Sequence, residues 1–122
     1  MPLKMNNKAF GKVLEERTKL FAISTIRLSS KLPFTPESKI IRNQLTKSSS
    51  SIGANYREAN RSRSKADFYN KIKICESECN ETGYWFEIII GLDWVNVDEI
   101  KPLLNECNEL LAIFTSISNN LK

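Results

Sequence analysis

The sequence contains no histidine, and its four glycines and four prolines are scattered singly along 122 residues. The absence of histidine removes the commonest general base and the commonest zinc ligand. Because the glycines never cluster, the chain has neither a phosphate-binding loop nor a dinucleotide-binding fingerprint. We therefore predict no catalytic residue, no cofactor and no metal site, and we expect the protein not to be an enzyme.

Long apolar runs are also missing. No stretch approaches the roughly 20 apolar residues that a membrane-spanning helix needs, and the opening residues MPLKMNNKAF lack the apolar segment of a secretion signal. The three cysteines are an odd number, which argues against a disulfide framework. We expect a cytoplasmic protein with no membrane partner, whose cysteines are small buried hydrophobic residues.

Four helical segments separated by short turns account for the chain as a single domain over residues 1–122. The predicted helices cover about residues 8–31, 36–60, 64–91 and 97–121. Pro33 ends the first of them, and Thr35 and Ser64 are typical helix-capping residues. Gly91 is predicted to terminate the third helix, and Pro102 to lie in or near the first turn of the fourth. The prediction is an all-α fold, an antiparallel up-down-up-down four-helix bundle.

Within each segment, apolar residues recur at three- and four-residue spacing. The predicted core-facing stripe of the first helix is Phe10, Val13, Leu14, Leu20, Phe21, Ser24 and Leu28. The clearest stripe belongs to the third helix and consists of Phe68, Ile72, Cys75, Cys79, Thr82, Phe86 and Ile89. A second row on that helix, Ile74, Glu78, Glu81, Trp85 and Ile88, predicts contact with a second neighbouring helix.

Charge is sorted along the chain, although the net charge is only +4. Residues 39–73 carry nine basic and two acidic groups, and residues 74–109 carry one basic and nine acidic groups. A basic surface can bind nucleic acid, or it can dock on the acidic surface of a second copy. Tyr56 and Tyr69 lie nearby and could stack on bases. The candidate nucleic-acid-binding residues are Arg57, Arg61, Arg63, Lys65, Lys71 and Lys73.

Two polar pairs interrupt the apolar pattern, Asn55 with Glu58 and Glu78 with Glu81. Carboxylate pairs of this kind could hold a divalent cation through oxygen ligands. The alternative, which we favour, is a polar seam or interface in which arginine or lysine neutralises the acids and Asn55 sets the helix register. Trp85 is interpreted as a core or interface anchor of the same region.

Three stretches carry a resemblance. Residues 50–59, SSIGANYREA, are similar to the signature of a four-helix-bundle family encoded in bacterial 23S ribosomal-RNA intervening sequences, also labelled S23 ribosomal protein. SKADFYNKIKI at 64–74 and ECNETGYW at 78–85 match the same family in the same order. The resemblance implies a bundle that assembles into a ring, typically a homopentamer with a central channel, and no known enzymatic activity. A related group serves diversity-generating retroelements as accessory variability proteins that bind nucleic acid and a reverse transcriptase.

Two hypotheses for the function follow. The first is a non-enzymatic, ring-forming bundle that binds RNA or DNA through basic residues of its second and third helices. The alternative is a protein-interaction scaffold with no direct nucleic-acid role, in which the assembly itself pairs the basic and acidic surfaces.

Overall fold

A computed structural model describes residues 7–122, with the side chain of Asn7 left out of the description. The chain forms α1 (Asn7–Ser29), α2 (Pro36–Ala59), α3 (Lys65–Gly91) and α4 (Val97–Asn120). Each helix packs against its neighbours in the order α1–α2–α3–α4, and α4 closes back on α1. The predicted all-α, antiparallel four-helix bundle is confirmed. The single domain over residues 1–122 stays a prediction, because its first six residues lie outside the described part.

Short-range hydrogen bonds explain why three of the helices begin where they do. The side-chain oxygens of Thr35, Ser64 and Asn96 accept backbone N–H groups in the first turns of α2, α3 and α4, at 3.1, 3.0 and 2.8 Å. Each bond satisfies a donor that has no partner inside the helix. Among residues 7–122, no helix combines the length and apolar character that crossing a membrane requires.

The core is centred on α3. Its inner row is fully buried and consists of Ile72, Cys75, Cys79, Thr82, Phe86 and Ile89. The Phe86 ring meets the edge of Phe21 from α1 with centroids 6.3 Å apart, and Tyr56 of α2 meets Phe114 of α4 at 5.5 Å. Aromatic contacts across the bundle therefore link α1 with α3 and α2 with α4.

The predicted core stripe of α1 is partly wrong. Phe10, Val13, Leu20 and Ser24 are exposed, and the buried positions are Gly11, Leu14, Thr18, Phe21, Thr25, Leu28 and Ser29. Thr18 is tolerated inside because its hydroxyl lies 3.0 Å from the carbonyl oxygens of both Leu14 and Glu15. It faces Gly53 so closely that a Cβ at that position would lie 2.9 Å from the threonine Oγ1. Close approach of α1 to α2 thus selects small and polar residues over large apolar ones.

Two helix-end predictions agree with the structure. Pro102 lies in the second turn of α4, near its start. Gly91 is the last residue of α3, and the left-handed conformation that reverses the chain follows at Asp93, with φ of 59°. An asparagine or aspartate side chain tolerates the left-handed region better than most, which is why Asp93 replaces glycine in this role.

An ion-pair cluster fastens α1 to α4. Arg17 Nε donates to Glu106 Oε2 at 2.6 Å, and its Nη2 donates to Glu109 Oε1 at 2.6 Å. The hydrogen bond that Arg17 donates to Glu106 is the largest influence on the Arg17 pKa, which lies above its usual value. Arg17 interrupts the apolar spacing of α1 because it bridges two helices at the edge of the core.

Candidate nucleic-acid interface

Four chain segments meet at one end of the bundle, because α1 and α3 begin where α2 and α4 end. A cleft lined by Lys8, Lys12 and Arg61 joins the start of α1 to the end of α2, and a second cleft joins Lys65 to Lys122. We call this the basic end; its members are Lys8, Lys12, Arg57, Arg61, Arg63, Lys65 and Lys122. The fold thus gathers cations that are up to 114 residues apart in sequence (8 to 122).

The predicted binding residues divide into two groups in the structure. Arg57, Arg61, Arg63 and Lys65 are all exposed at the surface, and none forms an ion pair with another described residue. Their charges are therefore available to a ligand.

The other two predicted binding residues are already paired within the chain. Lys71 Nζ lies 2.8 Å from Glu58 Oε1, and Lys73 Nζ lies 2.9 Å from Glu76 Oε1. These hydrogen bonds raise the pKa of both lysines and lower that of both carboxyl groups. The positive charges of Lys71 and Lys73 are therefore mainly compensated by the carboxylates of Glu58 and Glu76.

Sequence reasoning missed Lys8, Lys12 and Lys122. They lie in parts of the chain with no obvious cluster, and only the antiparallel topology brings them to the basic end. The signal that could have found them is the predicted topology itself, since an up-down-up-down bundle places the start of the first helix beside the end of the second.

The side chains of Tyr56 and Tyr69 lie in different environments. The Tyr56 side chain is buried in the core, and burial raises the pKa of its hydroxyl. The expectation that it stacks on bases is therefore wrong. Tyr69 is half-buried and lines the cleft that also contains Lys65 and Lys122, so the expectation that it stacks on bases stays a prediction.

The second row of α3, its outer row, is covered in part by the rest of residues 7–122. Ile74 and Glu81 are exposed, and Glu78, Trp85 and Ile88 are half-buried, with Trp85 packed against the hydrophobic core. The prediction that α3 contacts two neighbouring helices is confirmed, since it packs against both α2 and α4. The second neighbour of α3 is α4, which lies on its other side: the Cys107 thiol donates to the Cys79 carbonyl oxygen at 3.2 Å.

The outer row and the exposed side of α2 form a continuous surface, which we call the α2–α3 face. The Glu58–Lys71 ion pair joins the two helices along it, and Tyr84 packs its ring on Trp85 with centroids 5.2 Å apart. Large apolar side chains remain open to solvent, with exposed fractions of 62% for Ile40 and 57% for Tyr84. Exposed apolar area of this kind is typical of protein–protein contact.

The polar residues of this face bond locally. Asn55 Nδ2 donates at 2.8 Å to the Ser51 carbonyl oxygen of its own helix, and Trp85 Nε1 donates at 3.2 Å to Glu81 Oε2. Partial burial raises the Glu78 pKa, and the charge of Glu81 adds to the effect. Within the described chain no three Asp, Glu or Cys side chains converge as they would around a metal ion.

The cysteines lie in the core, as predicted. All three thiols are free and buried, and burial raises the pKa of Cys75 and of Cys107 to about 12. A thiol at that pKa is almost entirely protonated at neutral pH, so it is a poor nucleophile and a poor metal ligand.

Comparison with known proteins agrees with this architecture. A crystal structure of a protein with unknown function from the S23 ribosomal protein family of Bacteroides thetaiotaomicron superposes with a TM-score of 0.79 at 32% sequence identity. The match covers 85% of this chain and 96% of that one. No curated protein sequence matches the chain. The family model for 23S rRNA-intervening sequence proteins matches residues 13–116, and the chain belongs to that family.

Proposed function

We propose that this protein is a non-enzymatic bundle that assembles into a ring of identical subunits and binds RNA or DNA through its basic end. The observation that carries the proposal is the set of unpaired cations at that end. Lysine and arginine side chains that neutralise phosphates release counterions, which supplies most sequence-independent affinity for nucleic acid. Arginine adds a planar fork of donors that matches phosphate oxygens.

An aromatic side chain lies beside the cations of the basic end. This favours single-stranded nucleic acid over a fully paired duplex as one form of ligand. Tyr69 lies between Lys65 and Lys122 in an open cleft of about 460 Å³. Cations that follow a backbone, with an aromatic ring on which a base can stack, are the usual elements of single-strand binding.

The α2–α3 face supports the assembly. Its apolar side chains include Ile40, Ile74 and Tyr84, which are 62%, 39% and 57% exposed within the described chain. Glu78 and Glu81 of this face form no ion pair with a described residue, so their charges are available to basic residues of a neighbouring subunit. In a head-to-tail ring unlike surfaces meet, and a closing rotation leaves no open interface. The family resemblance favours five subunits.

A salt series tests the binding. The affinity for structured RNA and for duplex DNA is expected to fall as salt rises, with a log–log slope of about −0.9 per phosphate contact on duplex DNA. An Arg61→Gln/Arg63→Gln variant is expected to flatten that slope by roughly 1 to 2. The matched control is Arg27→Gln/Lys39→Gln, which removes the same charge at the opposite end and is expected to keep the slope. Affinity that is independent of salt, or equal losses in both variants, would overturn the proposal.

The α2–α3 face also favours a second candidate, a protein-interaction scaffold without a nucleic-acid role. In that case the assembly forms, as light scattering would detect, but wild-type protein binds neither RNA nor DNA even at low salt. Binding that is lost only when the basic end is altered rejects the scaffold.

A further inference from the structure

One cleft within the basic end has the features of a defined site. It lies between the first turns of α1 and the end of α2, has a volume of about 450 Å³, and is lined by Lys8, Gly11, Lys12, Glu15, Asn60 and Arg61. Small-ligand pockets in proteins commonly measure about 300–1,000 Å³. We propose that this cleft binds a phosphate group of a nucleic-acid strand, an inference that rests on the proposed function and narrows it to one site.

The charges of the cleft suit an anion. Lys8 and Lys12 are four residues apart on α1, so their side chains leave the same face of the helix. Arg61 approaches from the end of α2. None of the three forms an ion pair with a described residue, and they oppose a single carboxylate. A phosphate between two ammonium groups and a guanidinium is a charge-assisted arrangement that binds more strongly than neutral donors do.

The one carboxylate of the cleft is already engaged. Glu15 Oε2 accepts a hydrogen bond of 2.8 Å from Asn60 Nδ2. The Asn60 amide also donates to the Tyr56 hydroxyl oxygen, which lowers the Tyr56 pKa against the larger effect of burial. Asn60 thus holds the Glu15 carboxylate in place, and the three cations of the cleft outnumber that single acid.

The floor of the cleft is open because Gly11 has no side chain. A Cβ at that position would lie 3.4 Å from Asn60 Nδ2 and 3.7 Å from the Tyr56 hydroxyl oxygen. Those are ordinary contact distances, so alanine fits without displacing the helices, but its methyl group takes up space against the amide of Asn60. The glycine keeps that amide accessible.

Two neighbouring clefts lack this combination. The groove one turn further along α1 and α2 contains Arg57 and Lys19, and Lys19 is paired with Glu16 at 3.1 Å. The cleft at Lys65 and Lys122 has two cations, and its other lining residues are Ala66, Tyr69 and Leu121. Of these three clefts, the one between α1 and α2 that holds Arg61 brings together three unpaired cations.

The test compares two variants of equal net charge. Lys8→Gln/Lys12→Gln removes two cations of the cleft, and Lys39→Gln/Lys101→Gln removes two exposed cations at the opposite end. The probes are a single-stranded oligonucleotide with a 5′-phosphate, the same oligonucleotide with a 5′-hydroxyl, and inorganic pyrophosphate as competitor. The cleft variant is expected to lose about tenfold or more in affinity for the oligonucleotides, and the control less than about threefold.

The two oligonucleotides distinguish the source of the phosphate. A preference of wild-type protein for the 5′-phosphate, lost in Lys8→Gln/Lys12→Gln, assigns the cleft to a strand end. Equal affinity for both probes, with the same loss in the variant, assigns it to a backbone phosphodiester. In either case pyrophosphate is expected to displace the strand from wild-type protein.

A Gly11→Ala variant separates a defined site from diffuse attraction, since it changes no charge. It is expected to weaken strand binding several-fold while its circular dichroism and melting show an intact fold. Equal losses in the cleft and control variants, together with unaltered binding by Gly11→Ala, would overturn the cleft and leave the proposed function standing. Wild-type protein that binds no nucleic acid at low salt would overturn the proposed function, and pyrophosphate titration would then show whether the cleft still takes phosphate.

Discussion

The two rows of α3 share one helix and nearly the same heptad spacing, yet they have opposite environments. The inner row, from Ile72 to Ile89, is at most 1% exposed, whereas Ile74 of the outer row is 39% exposed. The inner row faces the common axis of the bundle, whereas the outer row lies at the margin, where Trp85 still packs on the core but Ile74 is open to solvent. Spacing therefore identifies rows that are able to pack, but not whether the packing partner belongs to the same chain.

The largest expected effect comes from adjacent aromatic residues on the two rows. Phe86→Ala removes a fully buried ring and is expected to lower the free energy of unfolding by about 3–5 kcal/mol. Trp85→Ala is expected to lower it by less than half as much, since Trp85 is only half-buried, and to reduce the mass of the assembly. Urea denaturation and light scattering measure the two quantities. The distinction between the two rows would be contradicted if Phe86→Ala and Trp85→Ala lost the same unfolding free energy and Trp85→Ala left the mass of the particle in solution unchanged.

The thiols of the inner row provide a second test. With a pKa of about 12, Cys75 has roughly a thousandfold less thiolate near pH 8 than an ordinary cysteine with a pKa of 9.0. We expect the folded protein to react with a thiol reagent very slowly, and the urea-unfolded protein to react fast at all three cysteines. Fast reaction of the folded protein would show that the inner row opens to solvent.

The smallest expected effect concerns two carboxyl groups with shifts of opposite sign. Burial raises the Glu78 pKa above 4.5, so its stabilising contribution is present below that pH and is lost as pH rises through the folded value. Lys73 lowers the Glu76 pKa, so that contribution is present above 4.5 and is lost as pH falls through the folded value.

Glu78→Gln is therefore expected to raise the melting temperature at pH 7, and Glu76→Gln to lower it. Both differences should shrink toward pH 3. Each effect should stay below about 1 kcal/mol because solvent screens these partly exposed groups. Thermal melts at pH 7 and pH 3 check the prediction, and a Glu78→Gln variant that melts lower at pH 7 would contradict the assigned burial.

Much of the fold was predictable because its causes are local. Hydroxyl caps at Thr35 and Ser64 and the spacing from Ile72 to Ile89 act over three or four residues. The predicted core stripe of α1 left out Thr18 and Thr25, which are buried although they are polar. Hydrogen bonding of Thr18 to its own helix and the close approach of Gly53 decide that position, and neither can be read from hydrophobicity.

The candidate site was predictable in part. Arg57, Arg61, Arg63 and Lys65 follow one another along the chain, so their proximity is a property of sequence. Lys71 belongs to the same run but pairs with Glu58 across a turn, a contact that depends on how α2 and α3 dock. A run of basic residues thus overstates the charge available to a partner.

The sequence by itself determined four helices, their caps, the fully buried row of α3 and the shortage of residues suited to catalysis, because these depend on residue type and short-range spacing. Only the tertiary structure decided which face of α1 is buried, which lysines remain unpaired, and that Lys8 and Lys12 join Arg61 in one cleft. The physical reason is that the antiparallel packing of helices brings together side chains from distant parts of the chain, and the strength of a charge or an apolar contact depends on those neighbours.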